Sequence, residues 1–217
     1  MTSSRRLCPT GEDAGLGARN AAGRGKRPPG AARERILDAA YELFSQQGIG
    51  AVGVDAIIAR SGTAKMSLYR HFRCKEDLVL AFLEERAERW TFQWLEAEVL
   101  TRSDDPEARL LAIFDVFDGW FQLPDFEGCS FINVLLEHRQ GTPVHRAAAD
   151  RLAEIRSILR RLADAAGLAD PARFAQTWHF LMKGCIVTAY EGHRAAAKEA
   201  RQAGELILAG WPRRRAA

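Results

Sequence analysis

Between residues 65 and 75 the chain places Lys65, Arg70, Arg73 and Lys75 with no carboxylate among them, and sets Ser67, Tyr69 and His71 between the cations. Ammonium and guanidinium groups neutralise phosphates. Hydroxyl and imidazole groups hydrogen-bond phosphate oxygens or the edges of bases. On one short rod, those side chains suit a nucleic-acid duplex. The net charge of the whole chain is only +3, so bulk charge implies no such partner; the local stripe carries the implication alone.

Such a rod has to be held outward. Ile36, Ala40, Leu43 and Phe44 recur at helical spacing, flanked by Leu37 and Tyr41, and Gly48 ends the run. A short helix over 54–60 turns Ile57 and Ile58 inward. Ser61, Gly62 and Thr63 make a tight turn, and a second short helix over 65–72 puts Leu68 and Phe72 on one side. Two short helices joined by a glycine turn, the second one basic, form a helix-turn-helix candidate over 53–72. Ile57 and Leu68 fix the angle between them. Lys65, Ser67, Arg70 and His71 are left facing out, at a width that a major groove admits.

Beyond this corner the period stays helical. Lys75 opens a long helix carrying Leu78, Phe82, Trp90, Trp94 and Leu100. Pro106 starts a helix to about 122 and Ser130 a shorter one. A helix capped at Thr142 and Pro143 runs through Leu152, Ile155, Leu159, Leu162 and Ala166. Another runs from Asp170 and Pro171 to about 192, and a last one covers about 196–208. No strand pattern and no internal repeat is present. The expected fold class is all-α, with a disordered basic arm over 1–30, a helix-turn-helix head over 31–80 and a larger helical body over 81–212. The arm's cations (Arg5, Arg6, Arg19, Arg24, Lys26 and Arg27) and Arg213, Arg214 and Arg215 at the other end read as solvated tails.

Other chemistries find little support. Gly48, Gly50 and Gly53 match the spacing GxGxxG, but a dinucleotide loop needs a strand before it and here a helix precedes it. Cys8, Cys74, Cys129 and Cys185 lie far apart without a CxxC, which fits a reduced, cytoplasmic chain better than a disulfide scaffold. Cys129 falls at a helix start, where a thiolate is favoured. His138 and His145 are separated by a break at Gly141, Thr142 and Pro143, so no metal site is expected, and no cofactor. No GxSxG elbow or diagnostic acid–base pair points to catalysis. No apolar run approaches a membrane span.

Read in order, RILDAAYELF over 35–44, Gly48, DAIIARSG over 55–62, AKMSLYRHF over 64–72 and KEDL over 75–78 resemble the DNA-binding domain of TetR-family repressors, over about residues 33–83. The resemblance implies a three-helix DNA-binding head on a larger helical body that binds ligand and dimerises through its last two long helices, about 171–208. Carried onto this chain, the DNA-binding set is Thr63, Lys65, Met66, Ser67, Tyr69, Arg70, His71 and Lys75. Of these, Tyr69 and Lys75 match positions that touch phosphate, and Lys75 also opens the helix linking head to body. Three positions depart from the family pattern. Gly53 stands for a capping Thr. Ala64 stands for a Ser, which passes the capping of the recognition helix to Thr63. Met66 stands for a frequent Gly and adds a side chain toward the groove.

The partners then expected are a near-palindromic double-stranded operator, a second copy of the chain, and a small, mainly apolar effector whose binding releases a repressor from DNA. An activator or a regulator without ligand is the alternative; an enzyme on a helical scaffold stands behind both. Ligand cavities are mostly apolar with a few polar groups. The expected pocket set is Trp94, Phe117, Trp120, Phe121, Phe131, Asn133, His138, Trp178 and Met182. The expected dimer faces are Phe174, Trp178, Leu181, Met182, Cys185, Ile186 and Ala189 on one helix, and Ala200, Ala203, Leu206 and Ile207 on the last.

Overall fold

The structure is a computed structural model that describes residues 30–214; residues 1–29, which hold most of the basic arm, and residues 215–217, which include Arg215, lie outside the described residues. Among those described there is no strand, only a single antiparallel bridge between Leu168 and Arg213.

Helices α1 (Gly30–Gln47), α2 (Val54–Ser61) and α3 (Lys65–His71), with the start of α4 (Lys75–Arg86), build the head. Its core is what the sequence period dictates: Ile36, Ala40 and Phe44 meet Ile57, Leu68, Phe72, Leu78 and Phe82, all buried. Phe82 lies edge-on to Tyr41 and Phe44, with centroids 5.6 and 5.5 Å away.

The helix that opens at Lys75 continues through a π-helical stretch, Ala87–Glu96, into α5 (Ala97–Arg102). A π-helix closes its hydrogen bonds one residue later than an α-helix, so the inward register slips along this stretch. Leu95 and Val99 therefore face the core, and Leu100 is 44% exposed rather than on the buried face expected for it.

Helix α6 (Pro106–Phe121) is the centre of the body, packed against α5, α8 (Pro143–Ala165), α9 (Pro171–Tyr190) and α10 (Ala196–Gly210), while α7 (Ser130–Glu137) packs on α8. Asp105, Thr142 and Asp170 cap α6, α8 and α9 with side-chain oxygens, each before a proline. Trp120 of α6 packs against Trp90 (5.1 Å), Phe117 (5.6 Å) and Phe126 (4.9 Å), and Trp178 against Phe114 (5.3 Å) and Phe174 (5.1 Å). Helix α10 crosses α6 and α9 at Gly204. A Cβ there would lie 2.8 Å from Cη2 of Trp178 and 3.2 Å from Cε2 of Phe114, so the close approach depends on glycine.

Two expectations about the chain end need correction. Phe174, Trp178, Met182, Cys185, Ile186, Ala189 and Ala200 are turned into the protomer's own core; the apolar side chains left exposed on α9 and α10 are Phe180, Val187, Tyr190 and Leu206. Arg213 and Arg214 are not solvated tails either. Arg213 pairs with Glu107 (2.9 Å) and Arg214 with Asp164 (2.7 Å), while the Trp211 indole donates to the Ala169 carbonyl (2.7 Å). The αL turn at Gly167 exposes its carbonyl to the Arg214 N–H, which docks the tail there.

Candidate nucleic-acid interface

Helix α3 is anchored by Leu68 and Phe72, both buried, and presents the opposite side outward. Met66 is 73% and Tyr69 41% exposed, and Lys65, Arg70 and Arg73 are exposed beside them; Ser67 and Thr63 are half-buried. Gly62, at φ +62°, makes the turn before α3. Gly53 caps α2 in extended conformation without a side-chain bond, as expected for a glycine there. Thr63 does not cap α3. Its hydroxyl lies 2.8 Å from that of Ser61, which in turn donates to the Ile58 carbonyl, and the cap position belongs to Ala64, which has no oxygen to offer. The chain thus uses Thr63 to staple the turn and leaves the first N–H groups of α3 open.

The cations divide into free and engaged. Lys65 meets Asp55 at 3.3 Å, an exposed pair worth about 0–1 kcal/mol that a phosphate can displace. Arg60 forks onto Glu42 at 2.5 Å and ties α2 to α1. The Lys75 ammonium donates to the Ile49 carbonyl at 2.6 Å and lies 6.0 Å from the Phe44 ring centre, so it joins the start of α4 to the turn after α1 and keeps further N–H groups to give. His71 is half-buried among Arg33, Asp77 and Leu80, on the flank of α3 rather than its outer face.

Head and body are joined through α4. Buried Arg86 donates to the Tyr41 hydroxyl at 3.1 Å, and Arg89 lies 4.7 Å over the Tyr41 ring while pairing with Glu85 (2.5 Å) and Asp38 (3.1 Å). Movement of α4 therefore carries α1 with it.

Within the body, Leu95, Val99, Ile113, Ile155, Leu159 and Met182 line an apolar cavity of about 320 Å³ between the π stretch and α5, α6, α8 and α9; Glu96 and Arg161, paired at 2.5 Å, stand at it. Of the nine residues expected in a pocket, only Met182 lines this cavity. Phe117, Trp120, Phe121, Phe131 and Trp178 fill the aromatic core, and Trp94 sits half-buried at its edge. Asn133 faces a different cleft, and the His138 ring hydrogen-bonds the Val134 carbonyl at 3.0 Å. Large rings fill the interior, and it is the smaller aliphatic residues of α5 and α8 that leave space. The aliphatic run Ile155, Ile158, Leu159 and Leu162 was the sequence signal for it.

The indole N–H groups of Trp90, Trp120 and Trp178, the Thr91 hydroxyl and Nδ1 of His179 are buried without a protein partner. Burial, with Lys183 and Arg156 nearby, pushes His179 down to about 3. Burial likewise pushes the Cys129 thiol up, against the opposing pull of the Phe131 and Ile132 N–H groups. At this helix start desolvation wins, and the thiolate expected from the sequence does not form. No helix among the described residues is long and apolar enough to cross a membrane.

An outward basic helix set at an angle by its neighbour is the geometry of a helix-turn-helix DNA-binding head, here mounted on a helical body. The sequence model of bacterial regulatory proteins of the tetR family matches residues 36–82. The chain is 32% identical over 72 residues to the HTH-type transcriptional regulator QacR of Staphylococcus aureus, covering 33% of this chain and 38% of that one. It is 36% identical over 95 residues to the HTH-type transcriptional activator FasR of Mycolicibacterium smegmatis, covering 43% and 42%. The chain therefore spans about two fifths of the length of these curated relatives. A TetR-family transcriptional regulator from Streptomyces coelicolor has the same fold, with a TM-score of 0.74 at 26% identity over 84% of this chain and 91% of that one. QacR, FasR and the Streptomyces coelicolor protein are all transcriptional regulators by name. Residues 36–82 thus resemble the DNA-binding domain of tetR-family regulators, and the chain shares the fold of such a regulator over 84% of its length.

Proposed function

We propose that the protein is a homodimeric repressor that grips a near-palindromic operator with α3 and is released by a small, mainly apolar effector bound in the body. The observation that carries this reading is the division of α3 itself: Leu68 and Phe72 buried as anchors, and Lys65, Met66, Tyr69 and Arg70 exposed on the other side. Two such helices must stand about 34–36 Å apart, or a multiple of it, to enter successive major grooves. The dimer forms through α9 and α10, within about 171–208, where Phe180, Val187, Tyr190 and Leu206 are exposed. The effector occupies the aliphatic cavity, and the helix running from Lys75 to Arg102 transmits its arrival to the head. It releases DNA only by binding the released arrangement more tightly.

The test is operator binding at two salt concentrations. Tyr69→Phe and Lys75→Ala weaken binding to all sequences, the lysine change also flattening its salt dependence, while substitutions of the exposed Lys65 or Arg70 change base preference. Equal operator affinity in all four variants rejects the assignment. The similarity to FasR, whose name is that of an activator, favours a second reading in which bound protein raises transcription. Transcription in vitro from the bound promoter separates the two by the sign of the change.

A further inference from the structure

A cleft of about 380 Å³ opens where the head meets the body. Phe44, Ser45, Gly48 and Ile49 form its head side; Glu127, Asn133 and Glu137 form its body side, with Tyr190 also lining it. Neither the Glu127 nor the Glu137 carboxylate has an ion pair or a hydrogen bond among the described residues; the Glu127 backbone carbonyl accepts from the Asn133 side-chain amide at 3.4 Å. Arg194 acts on Glu127 from a distance, but it donates to the Phe121 carbonyl at 2.7 Å and lies 4.9 Å over the Phe126 ring. The Glu137 carboxylate reaches across to the head: its oxygens would lie 3.6 and 3.8 Å from a Cβ at Gly48 and Gly50. Ser45 is 7% exposed, and its hydroxyl has no protein partner. Burial, and Asp125 beside it, raise the Glu127 carboxyl above its ordinary value against the opposing pull of Arg194.

We propose that this cleft is a second small-molecule site, distinct from the aliphatic cavity, which takes a compact organic cation such as an alkylammonium ion or a short diamine and ties head to body when filled. The two carboxylates supply the charge, the exposed ring of Tyr190 supplies a face on which an ammonium group gains cation–π attraction, and Ser45 and Asn133 supply hydrogen bonds. The aliphatic cavity offers none of these: apart from the paired Glu96 and Arg161, its walls are hydrocarbon. The proposal concerns binding alone and stands independently of which DNA the head grips.

The test is calorimetric titration of the full chain with tetraethylammonium and with 1,6-diaminohexane. At least one should bind saturably, with one site per chain, and the uncharged hexane-1,6-diol should not compete. Glu127→Gln with Glu137→Gln should weaken binding by about tenfold or more, since both anionic partners of the cation are lost. Glu137→Lys, which sets a fixed cation in the cleft, should give the same loss by an independent substitution. Leu159→Trp, which fills the aliphatic cavity, should leave binding unchanged. No saturable binding of either probe, undiminished affinity in the glutamate variants, or loss in Leu159→Trp would each overturn the proposal.

Discussion

Head and body treat their polar atoms in opposite ways. In the head the Ser61 and Thr63 hydroxyls pair with each other and with the Ile58 carbonyl, Lys75 closes on Ile49, and Arg60 forks onto Glu42. In the body, three indole N–H groups, the Thr91 hydroxyl and Nδ1 of His179 are buried among rings with no protein partner. Each such group costs about 1–3 kcal/mol, so stability alone does not account for the packing of the body. A fully bonded head is held to a single shape, whereas the body carries donors in reserve at a cost in stability. The exception in the head is Ser45, and it lies on the cleft shared with the body.

The comparison can be broken at several strengths, the largest in the packed rings. Trp178 is fully buried against Phe114 and Phe174. Trp178→Ala should cost about 3–5 kcal/mol in urea unfolding of the full chain. A loss well below that range would mean that the rings are loosely held and that the body is soft throughout rather than stable with surplus donors. Gly204→Val, which drives a side chain into Trp178 and Phe114, should cost about 1–3 kcal/mol. Neutral behaviour would place α10 farther from α6 than the structure has it.

A third test uses pH. His179 gains a proton near 6.5 when unfolded but only near about 3 when buried. Between those values the unfolded chain binds more protons, so stability falls as pH drops through this window. From pH 7 to pH 5 the loss should be about 2 kcal/mol. His179→Leu should flatten that slope, and an unchanged slope would remove His179 from the account.

The two regions also differ in how much of them the sequence made readable. The head is written in local signals: the spacing of Ile36, Ala40 and Phe44, the αL glycine at Gly62, and the alternation of Leu68 and Phe72 with cations. Each of these acts within one or two turns of helix. What escaped depends on contacts between distant elements. The π stretch displaces Leu100, the Asp164 and Glu107 carboxylates capture the tail arginines, and the cavity lies where aliphatic side chains from α5 and α8 fall short of each other. In the head, the misreading of Thr63 has the same origin, since capping potential is local but Ser61 competes for the hydroxyl.

The smallest expected effect is also the most direct test of the comparison, because it sets one hydroxyl against another. Thr91 is fully buried, and its hydroxyl has no protein partner within the π-helical stretch. Thr91→Val keeps the branched shape and removes only the unsatisfied group, so it should stabilise the protein by about 1 kcal/mol. Ser61 is also buried, but its hydroxyl bonds the Ile58 carbonyl and Thr63. Ser61→Ala should therefore destabilise by about 1 kcal/mol. Alanine is the better helix former, so propensity alone would make Ser61→Ala stabilising; a loss there reports the hydrogen bonds that the hydroxyl makes. If the two variants shift the unfolding midpoint in the same direction, the difference between a fully bonded head and a body with donors in reserve does not hold.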